Sequence, residues 1–165
     1  MIMTMGSRQE LQAVLTALFS ALDDEAAGEN AASPATVSLD HARSGADLER
    51  LCRPEQLPIA AGLLDDKGFM LEAITGVDWL ERQEFDVWYD FIHTGVPDYR
   101  VVLRCSIPRE KATLPSLCAI FSAANWHERE VFDFFGIHFD GHPDLTRILL
   151  PEDADFHPLR KDYTP

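Results

Sequence analysis

The chain has 165 residues, of which 46% are hydrophobic and 25% charged, as expected for one globular domain. Fourteen lysines and arginines against 28 aspartates and glutamates give a net charge of −14, which disfavours binding to nucleic acid or to an anionic membrane surface. The three cysteines form no metal-binding or redox motif, and no signal peptide or membrane-spanning run is evident. We therefore expect a cytosolic protein with reduced thiols.

The N-terminal part of the chain predicts one amphipathic helix followed by a linker. Ser7 and Glu10 have the spacing of a capping box, which marks a helix start. Apolar residues then recur every three or four positions and form a single stripe: Leu11, Val14, Leu15, Leu18, Phe19 and Leu22. Residues 24–36 are small, acidic and interrupted by glycine and proline, which is typical of a linker.

The next stretch predicts a short strand and further helices. Apolar and polar residues alternate over 36–43, as they do in a strand. Ser44 followed by Asp47 is a second candidate helix start. Residues 48–64 contain two prolines and predict two short helices.

Three strands are predicted in the centre of the chain, over residues 69–74, 84–93 and 99–106. A turn containing glycine and proline separates the last two, which is typical of a hairpin. Both strands alternate in polarity, so one face of the sheet should belong to the core. The other face would carry charges that could pair across the hairpin, namely Asp86 and Asp90 with Arg100 and Arg104.

A helix is predicted from Ser116, its candidate N-cap, to Phe135, with Gly136 ending it. We call it the signature helix, because it carries the densest polar cluster of the sequence: Glu128, Arg129, Glu130 and Asp133. Glu130 and Asp133, beside Arg129, could be a carboxylate pair for acid–base catalysis or part of a salt-bridge network that orients the helix or meets a partner. The second interpretation is favoured, because the guanidinium keeps both carboxylates ionised and no nucleophile accompanies them.

Histidines and aspartates are concentrated near the C-terminus. His138 and His142 have the spacing of a helical pair of metal ligands, but Gly141 and Pro143 interrupt a regular helix there. Histidines that form structural hydrogen bonds are therefore favoured over a metal site. A metal-dependent hydrolase that uses His138, His142 and nearby aspartates is the alternative.

The remaining C-terminal residues, 136–165, predict an extended tail after an α+β domain at residues 1–135. Prolines separate the apolar residues of the tail and deny them a local core. We expect the tail to obtain its order by docking on another protein, in preference to wrapping its own domain or remaining disordered.

Five motifs in the last quarter of the chain resemble a known family. They are Trp126-His127-Glu128-Arg129-Glu130, Asp133-Phe134-Phe135-Gly136-Ile137, Phe139-Asp140-Gly141-His142-Pro143-Asp144-Leu145, Arg147-Ile148-Leu149 and His157-Pro158-Leu159-Arg160-Lys161-Asp162. This pattern resembles the thirty-kilodalton, C-type subunit of the proton-pumping NADH:quinone oxidoreductase, respiratory complex I. The hairpin and the helix start at Ser116 are similar in layout.

The resemblance implies a cofactor-free, non-catalytic subunit of the peripheral arm, on the cytoplasmic face of the membrane. Its expected fold is α+β, with a small, mostly antiparallel sheet, the N-terminal and signature helices packed on it, and the extended tail. The tail would lie along the large hydrogenase-like (D-type) subunit, near an iron–sulfur (B-type) subunit. Iron–sulfur clusters, flavin and quinone would belong to partner subunits, and no metal ligand is implied in this chain.

The same resemblance implies which residues form the partner interface. Glu128, Arg129, Glu130 and Asp133 would brace the signature helix, and the other interface residues would be Gly136, Gly141, His142, Pro143, Arg147, His157, Pro158, Arg160, Lys161 and Asp162. Thr146 and Phe156 depart from the family pattern, which usually has a basic residue and a glycine there. Related modules serve membrane-bound nickel–iron hydrogenases, formate hydrogenlyases and deazaflavin-dependent dehydrogenases, and an adaptor outside any redox complex is a further alternative.

Overall fold

A computed structural model describes residues 7–25 and 36–164 of the chain. Its helices and strands follow one another as α1 (Arg8–Glu25), β1 (Thr36–Ser38), α2 (His41–Ser44), β2 (Leu48–Cys52), α3 (Leu57–Asp66), β3 (Phe69–Trp79), β4 (Glu84–His93), β5 (Arg100–Pro108), β6 (Thr113–Pro115), α4 (Ala124–Phe135) and β7 (His138–Asp140). The predicted α+β class is confirmed. The predicted linker at 24–36 falls mostly outside the described residues.

Five strands form one sheet in the order β1-β2-β5-β4-β3. The predicted hairpin is confirmed, because β4 and β5 pair in antiparallel fashion with Tyr89 opposite Leu103. β3 pairs with β4 on the far side, also antiparallel. β2 joins the other edge of β5 in parallel, with Cys52 opposite Cys105. β6 and β7 form a separate two-stranded parallel sheet.

The core lies between one face of the large sheet and the helices. Phe85, Val87, Tyr89 and Phe91 alternate along β4 and are fully buried, as the polarity pattern predicts. The predicted stripe of α1 is also confirmed, since Leu11, Leu15 and Phe19 lose all their exposure. Complete burial of one such side chain contributes about 1.5–3 kcal/mol of transfer free energy. At the start of the helix, the backbone N–H of Glu10 donates to Ser7 Oγ at 3.2 Å.

The predicted helix at the beginning of 48–64 is wrong, because β2 occupies Leu48–Cys52. Its inward-facing residues include Arg50, whose side chain is fully buried, so the strand lacks the all-apolar alternation that reveals strands in a sequence. The guanidinium donates to Asp23 at 2.6 Å and to the carbonyl oxygen of Phe19 at 3.1 Å. These bonds tie the end of α1 to the sheet, and the second predicted helix corresponds to α3.

Two predicted helix starts are also wrong. The helix start predicted at Ser44 is wrong, because Ser44 is the last residue of α2 and β2 follows from Leu48. Asp40 accepts the backbone N–H of Ala42 and begins α2, so the strand predicted over 36–43 ends at Ser38. The signature helix, which is α4, begins at Ala124 rather than near Ser116. Residues 118–120 and 122–123 form turns instead. Ser116 Oγ accepts the N–H of Cys118 and donates to Glu128.

The charges on the open face of the hairpin pair only partly as predicted. Arg104 lies 3.5 Å from Asp86, which confirms one predicted pair. Arg100 pairs instead with Glu72 of β3. None of the helices in the described ranges, 7–25 and 36–164, is long and apolar enough to cross a membrane.

Candidate partner-binding surface

The buried carboxylate of Glu128 fixes the turn that precedes α4. It accepts the hydroxyl of Ser116 at 2.6 Å, the backbone N–H of Leu117 at 2.7 Å and the thiol of Cys118 at 3.5 Å. Burial raises the pKa of Glu128, and the three hydrogen bonds offset that rise only in part. Glu128 therefore binds the turn before α4 and not the other charged groups of the cluster.

Cys118, Glu128 and His142 bring three possible metal-ligand atoms within 4.8 Å of one another. Each of these groups already takes part in hydrogen bonds. Nδ1 of His142 accepts the N–H of Asp144 at 3.0 Å, and Nε2 lies 3.1 Å from the carbonyl oxygen of Asn125. In the neutral ring this arrangement places the proton on Nε2, so a cation would have to displace a hydrogen bond at either nitrogen. The cluster is therefore accounted for by hydrogen bonding, which agrees with the structural interpretation of His142.

The predicted pair of His138 and His142 does not form one site. His138 lies in β7, is exposed, and its Nε2 is 3.4 Å from Asp140 of the same strand. His142 instead follows the turn at Gly141, which has a φ of +83°. The two histidines thus have separate partners.

The second buried carboxylate of α4, Asp133, binds the tail. Its Oδ1 accepts Nη1 of Arg147 at 2.7 Å, and its Oδ2 accepts the N–H groups of Ile148, Leu149 and Leu150 at 3.2, 2.8 and 2.9 Å. Burial raises the pKa of Asp133, but the backbone N–H groups and Arg147 outweigh that effect and lower it overall. Asp133 is therefore an ionised anchor, and the arrangement does not support an acid–base pair with Glu130, which is exposed.

Arg129 also faces the tail rather than either neighbouring carboxylate. Its Nε donates to the carbonyl oxygen of Thr146 at 2.9 Å and its Nη2 to Thr146 Oγ1 at 2.7 Å. The guanidinium also lies 5.4 Å from the ring centre of Trp126. Glu130 is exposed and forms no hydrogen bond or ion pair with the part of the chain that the structure describes. Thr146, a departure from the family pattern, is thus the residue of the tail that Arg129 binds.

A second anchor holds the end of the tail. Asp78 of β3 is buried and accepts the backbone N–H of Lys161 at 2.8 Å. Arg109 lies 3.0 Å from Asp78 and 2.7 Å from Asp162, so one guanidinium joins two carboxylates. Asp78 and Arg109 were not predicted as site residues, because nothing in their local sequence marks a contact with residues so distant along the chain.

The tail also caps the C-terminal end of α4. Gly136 has a φ of +72°, and a Cβ there would lie 2.5 Å from His157 Nε2 and 2.6 Å from Arg160 Nη2. Arg160 Nε donates to the carbonyl oxygen of Phe135 at 2.6 Å, which satisfies a carbonyl that the helix leaves free. Nδ1 of His157 lies 3.0 Å from the carbonyl oxygen of Asp133. The glycine is therefore required both for the turn and for the close approach of the tail.

The anchored tail leaves large apolar side chains on the surface. Trp126 on α4 is 63% exposed and Leu149 in the tail is 60% exposed. Leu159 and Phe156 are exposed as well, and Phe156 stacks on Tyr163 with 5.4 Å between the ring centres. Among the other predicted interface residues, Pro143 is exposed and Pro158 is half-buried. Exposed apolar groups on a rigid polar framework are typical of a protein-binding surface.

Residues 51–165 match the model of the family described as respiratory-chain NADH dehydrogenase, 30 Kd subunit. The chain belongs to this family. It is 44% identical over 121 residues to the C-type subunit of the NADH-quinone oxidoreductase of Roseiflexus sp. (strain RS-1), an alignment that covers 70% of this chain and 69% of the relative. The corresponding C-type subunit of Moorella thermoacetica (strain ATCC 39073 / JCM 9320) is 39% identical over 125 residues, covering 73% of this chain and 83% of the other.

Solved structures agree with membership of the thirty-kilodalton subunit family. A trypsin-resistant fragment (1-134) of Nqo5 has a TM-score of 0.62 and 26% identity, covering 82% of this chain and 98% of the fragment. A chain of the membrane-bound sulfane sulfur reductase, an archaeal respiratory membrane complex, has a TM-score of 0.70 over 90% of this chain and 85% of that one. At 23% identity this second likeness shows the fold alone. The chain is thus a respiratory-complex subunit, and the hydrolase hypothesis is not supported.

Proposed function

We propose that this chain is a cofactor-free scaffold of the peripheral arm in a proton-pumping NADH:quinone oxidoreductase. It would hold the large hydrogenase-like subunit of the D type and the iron–sulfur subunit of the B type. Electrons would pass through flavin, iron–sulfur clusters and quinone bound by partner subunits. The complex would place the chain peripherally on the cytoplasmic face of the membrane.

The observation that carries this proposal is the surface formed by α4 and the tail. Its framework consists of family-motif residues, among them Arg129, Asp133 and Arg147, whose polar groups are satisfied within the chain. Its exposed part includes large apolar side chains, and Trp126 and Leu149 are accessible to pockets of another protein. A rigid surface of this kind suits a permanent contact between subunits.

A fused relative supports the choice of the D-type subunit as the main partner. The NADH-quinone oxidoreductase of Edwardsiella ictaluri (strain 93-146) has a combined C/D subunit, which is 36% identical to this chain over 154 residues. The alignment covers 86% of this chain but 26% of that protein. A polypeptide that combines both subunits keeps them together permanently, as a scaffold function requires.

Affinity purification of the tagged full-length chain from the organism that produces it tests the proposal. We expect the D-type and B-type subunits to co-purify, and the recovered complex to reduce a quinone analogue with NADH. A variant that ends at Leu150 lacks the anchors at His157, Arg160 and Lys161 and should recover much less of both partners. Circular dichroism of that variant checks that the domain stays folded.

Three results would contradict the proposal. Recovery of the chain without any oxidoreductase subunit would favour an adaptor outside respiratory complexes. Stoichiometric iron or a flavin spectrum in the isolated chain would show that it carries a redox centre itself. Recovery of hydrogenase subunits in place of an NADH-oxidising module would assign the chain to one of the related complexes.

A further inference from the structure

One oxygen atom binds the backbone of the tail at three successive residues. Oδ2 of Asp133 accepts three successive backbone N–H groups, those of Ile148, Leu149 and Leu150. Three adjacent N–H groups converge on one acceptor only if the backbone curls around it, as in other anion-binding turns of the main chain. The anchor therefore fixes the backbone conformation whatever the side chains are.

Because the carboxylate binds the backbone, the side chains in this turn are left for other contacts. Leu149 is 60% exposed although its N–H is anchored at 2.8 Å from a buried group. On the same side of α4, Arg129 lies one turn before Asp133 and fixes Thr146, while its guanidinium lies over Trp126. Two anchors on one helix thus hold the segment in which Leu149 is exposed.

We propose that Asp133 is the positioning residue of the partner interface and shapes residues 146–150 before the partner arrives. This inference rests on the proposed function, since it takes the large subunit as the partner that receives Leu149 and Trp126. Ordering a free segment during association lowers affinity, because its conformational entropy is lost at that step. Because Asp133 already orders the turn, this entropy loss is avoided and the turn binds more tightly. Asp133 itself contributes no contact with the partner.

The test uses two variants that break the anchor. Asp133→Asn changes the acceptor in α4, and Arg147→Gln changes a donor in the tail. Glu130→Gln is the matched control, because Glu130 is an exposed carboxylate of the same helix without a partner among residues 7–25 and 36–164. In the isolated full chain, amide hydrogen exchange of residues 148–150 should become at least about tenfold faster in both variants. Exchange in β4 and the thermal unfolding midpoint of the domain should stay close to those of the control.

Binding to the purified large subunit gives the second measurement. We expect the dissociation constant to rise about tenfold or more in each variant. The free chain has lost hydrogen bonds to a charged group, so the segment must be ordered during binding. The double variant should be no weaker than the weaker single variant, since both changes break the same anchor. A purely structural role of Asp133 would instead lower the unfolding midpoint and accelerate exchange throughout the domain.

The outcomes separate this inference from the proposed function. If the wild-type chain does not bind the large subunit, the proposed function fails. If the wild type binds and the variants lose amide protection yet bind equally well, the positioning role of Asp133 is wrong. It is equally wrong if residues 148–150 stay protected in both variants. If Asp133→Asn does not fold, Arg147→Gln still decides, because it changes a residue of the tail outside the helix.

Discussion

The helix α1 and the C-terminal tail both pack on the same domain, but they do so by opposite means. α1 docks through apolar side chains, with Leu11, Leu15 and Phe19 fully buried. Residues 146–162 of the tail dock through polar atoms, among them backbone N–H groups that bind Asp133 and Asp78, while Leu149 remains exposed. A segment that is anchored by its backbone keeps its apolar side chains available for a partner.

This difference has an energetic consequence. Burial of apolar area in α1 contributes to the stability of the whole domain, since every one of these side chains belongs to the common core. The bonds of the tail act locally, because each one orders a few residues at the surface. We therefore expect changes in α1 to affect global unfolding and changes in the tail to affect local protection.

The largest effect is expected for Phe19→Ala. The side chain is fully buried in the core and lies 5.0 Å from the guanidinium of Arg50. Its removal leaves a cavity and should lower the free energy of unfolding by about 3–5 kcal/mol in urea titrations. Leu18→Ala, at a half-buried position of the same helix, is the control and should cost clearly less. Equal losses at the two positions would contradict the packing role given to α1.

A smaller effect is expected for Gly136→Ala. An alanine must adopt the left-handed conformation, which costs about 1–2 kcal/mol, and its Cβ would displace His157 and Arg160. The loss should be concentrated in the tail, as faster amide exchange of residues 157–161. Gly62→Ala in α3 has open space around the new Cβ and serves as the control. Unchanged exchange in the tail of Gly136→Ala would show that the close approach is unimportant.

Acid should loosen the tail through His157. Burial lowers the pKa of His157, and the charges of Arg160 and Arg147 lower it further. The unfolded chain then binds a proton at a higher pH than the folded one, so the stabilisation is complete above about pH 6.5 and declines as the pH falls towards the lowered value. Amide exchange of the tail, measured from pH 7.5 to 5, should show this decline, and His157→Gln should remove that contribution. The same slope in His157→Gln would assign the effect to another group.

The smallest effect is expected for Lys161→Ala. Its side chain forms no hydrogen bond or ion pair with the described residues, whereas its backbone N–H binds Asp78. The free energy of unfolding should stay within about 0.5 kcal/mol of the wild type. Lys161→Pro removes the N–H and should release the end of the tail, which limited proteolysis would detect. If alanine and proline behaved alike, anchoring through the backbone at this position would be wrong.

The parts of the fold that the sequence could reveal are those with local patterns. β4 was predictable because Phe85, Val87, Tyr89 and Phe91 alternate with residues of the open face. β2 was missed because a buried arginine takes an inward position, and its partners become evident only after α1 has packed on the sheet. An inward charge that is satisfied by distant groups leaves no periodic signal.

The residues of the candidate surface were predictable, but their hydrogen bonds and ion pairs were not. The motifs brought together Asp133, Arg147 and Arg160, and Gly136 was correctly taken as the end of α4. The expectation that the tail obtains its order from another protein did not foresee its contacts with α4 and β3. Several of those contacts use backbone N–H groups, which every residue except proline carries, so side-chain identity could not indicate them.

The parallel pairing of β2 with β5 has a consequence for the order of folding. β3, β4 and β5 are consecutive antiparallel strands and can assemble soon after they are synthesised, whereas β2 must wait for a partner about fifty residues further along the chain. β2 is thus synthesised before β3, β4 and β5 but joins the sheet after them. During synthesis one edge of β2 has no strand to pair with until β5 emerges, which is the interval in which a chaperone would be most useful.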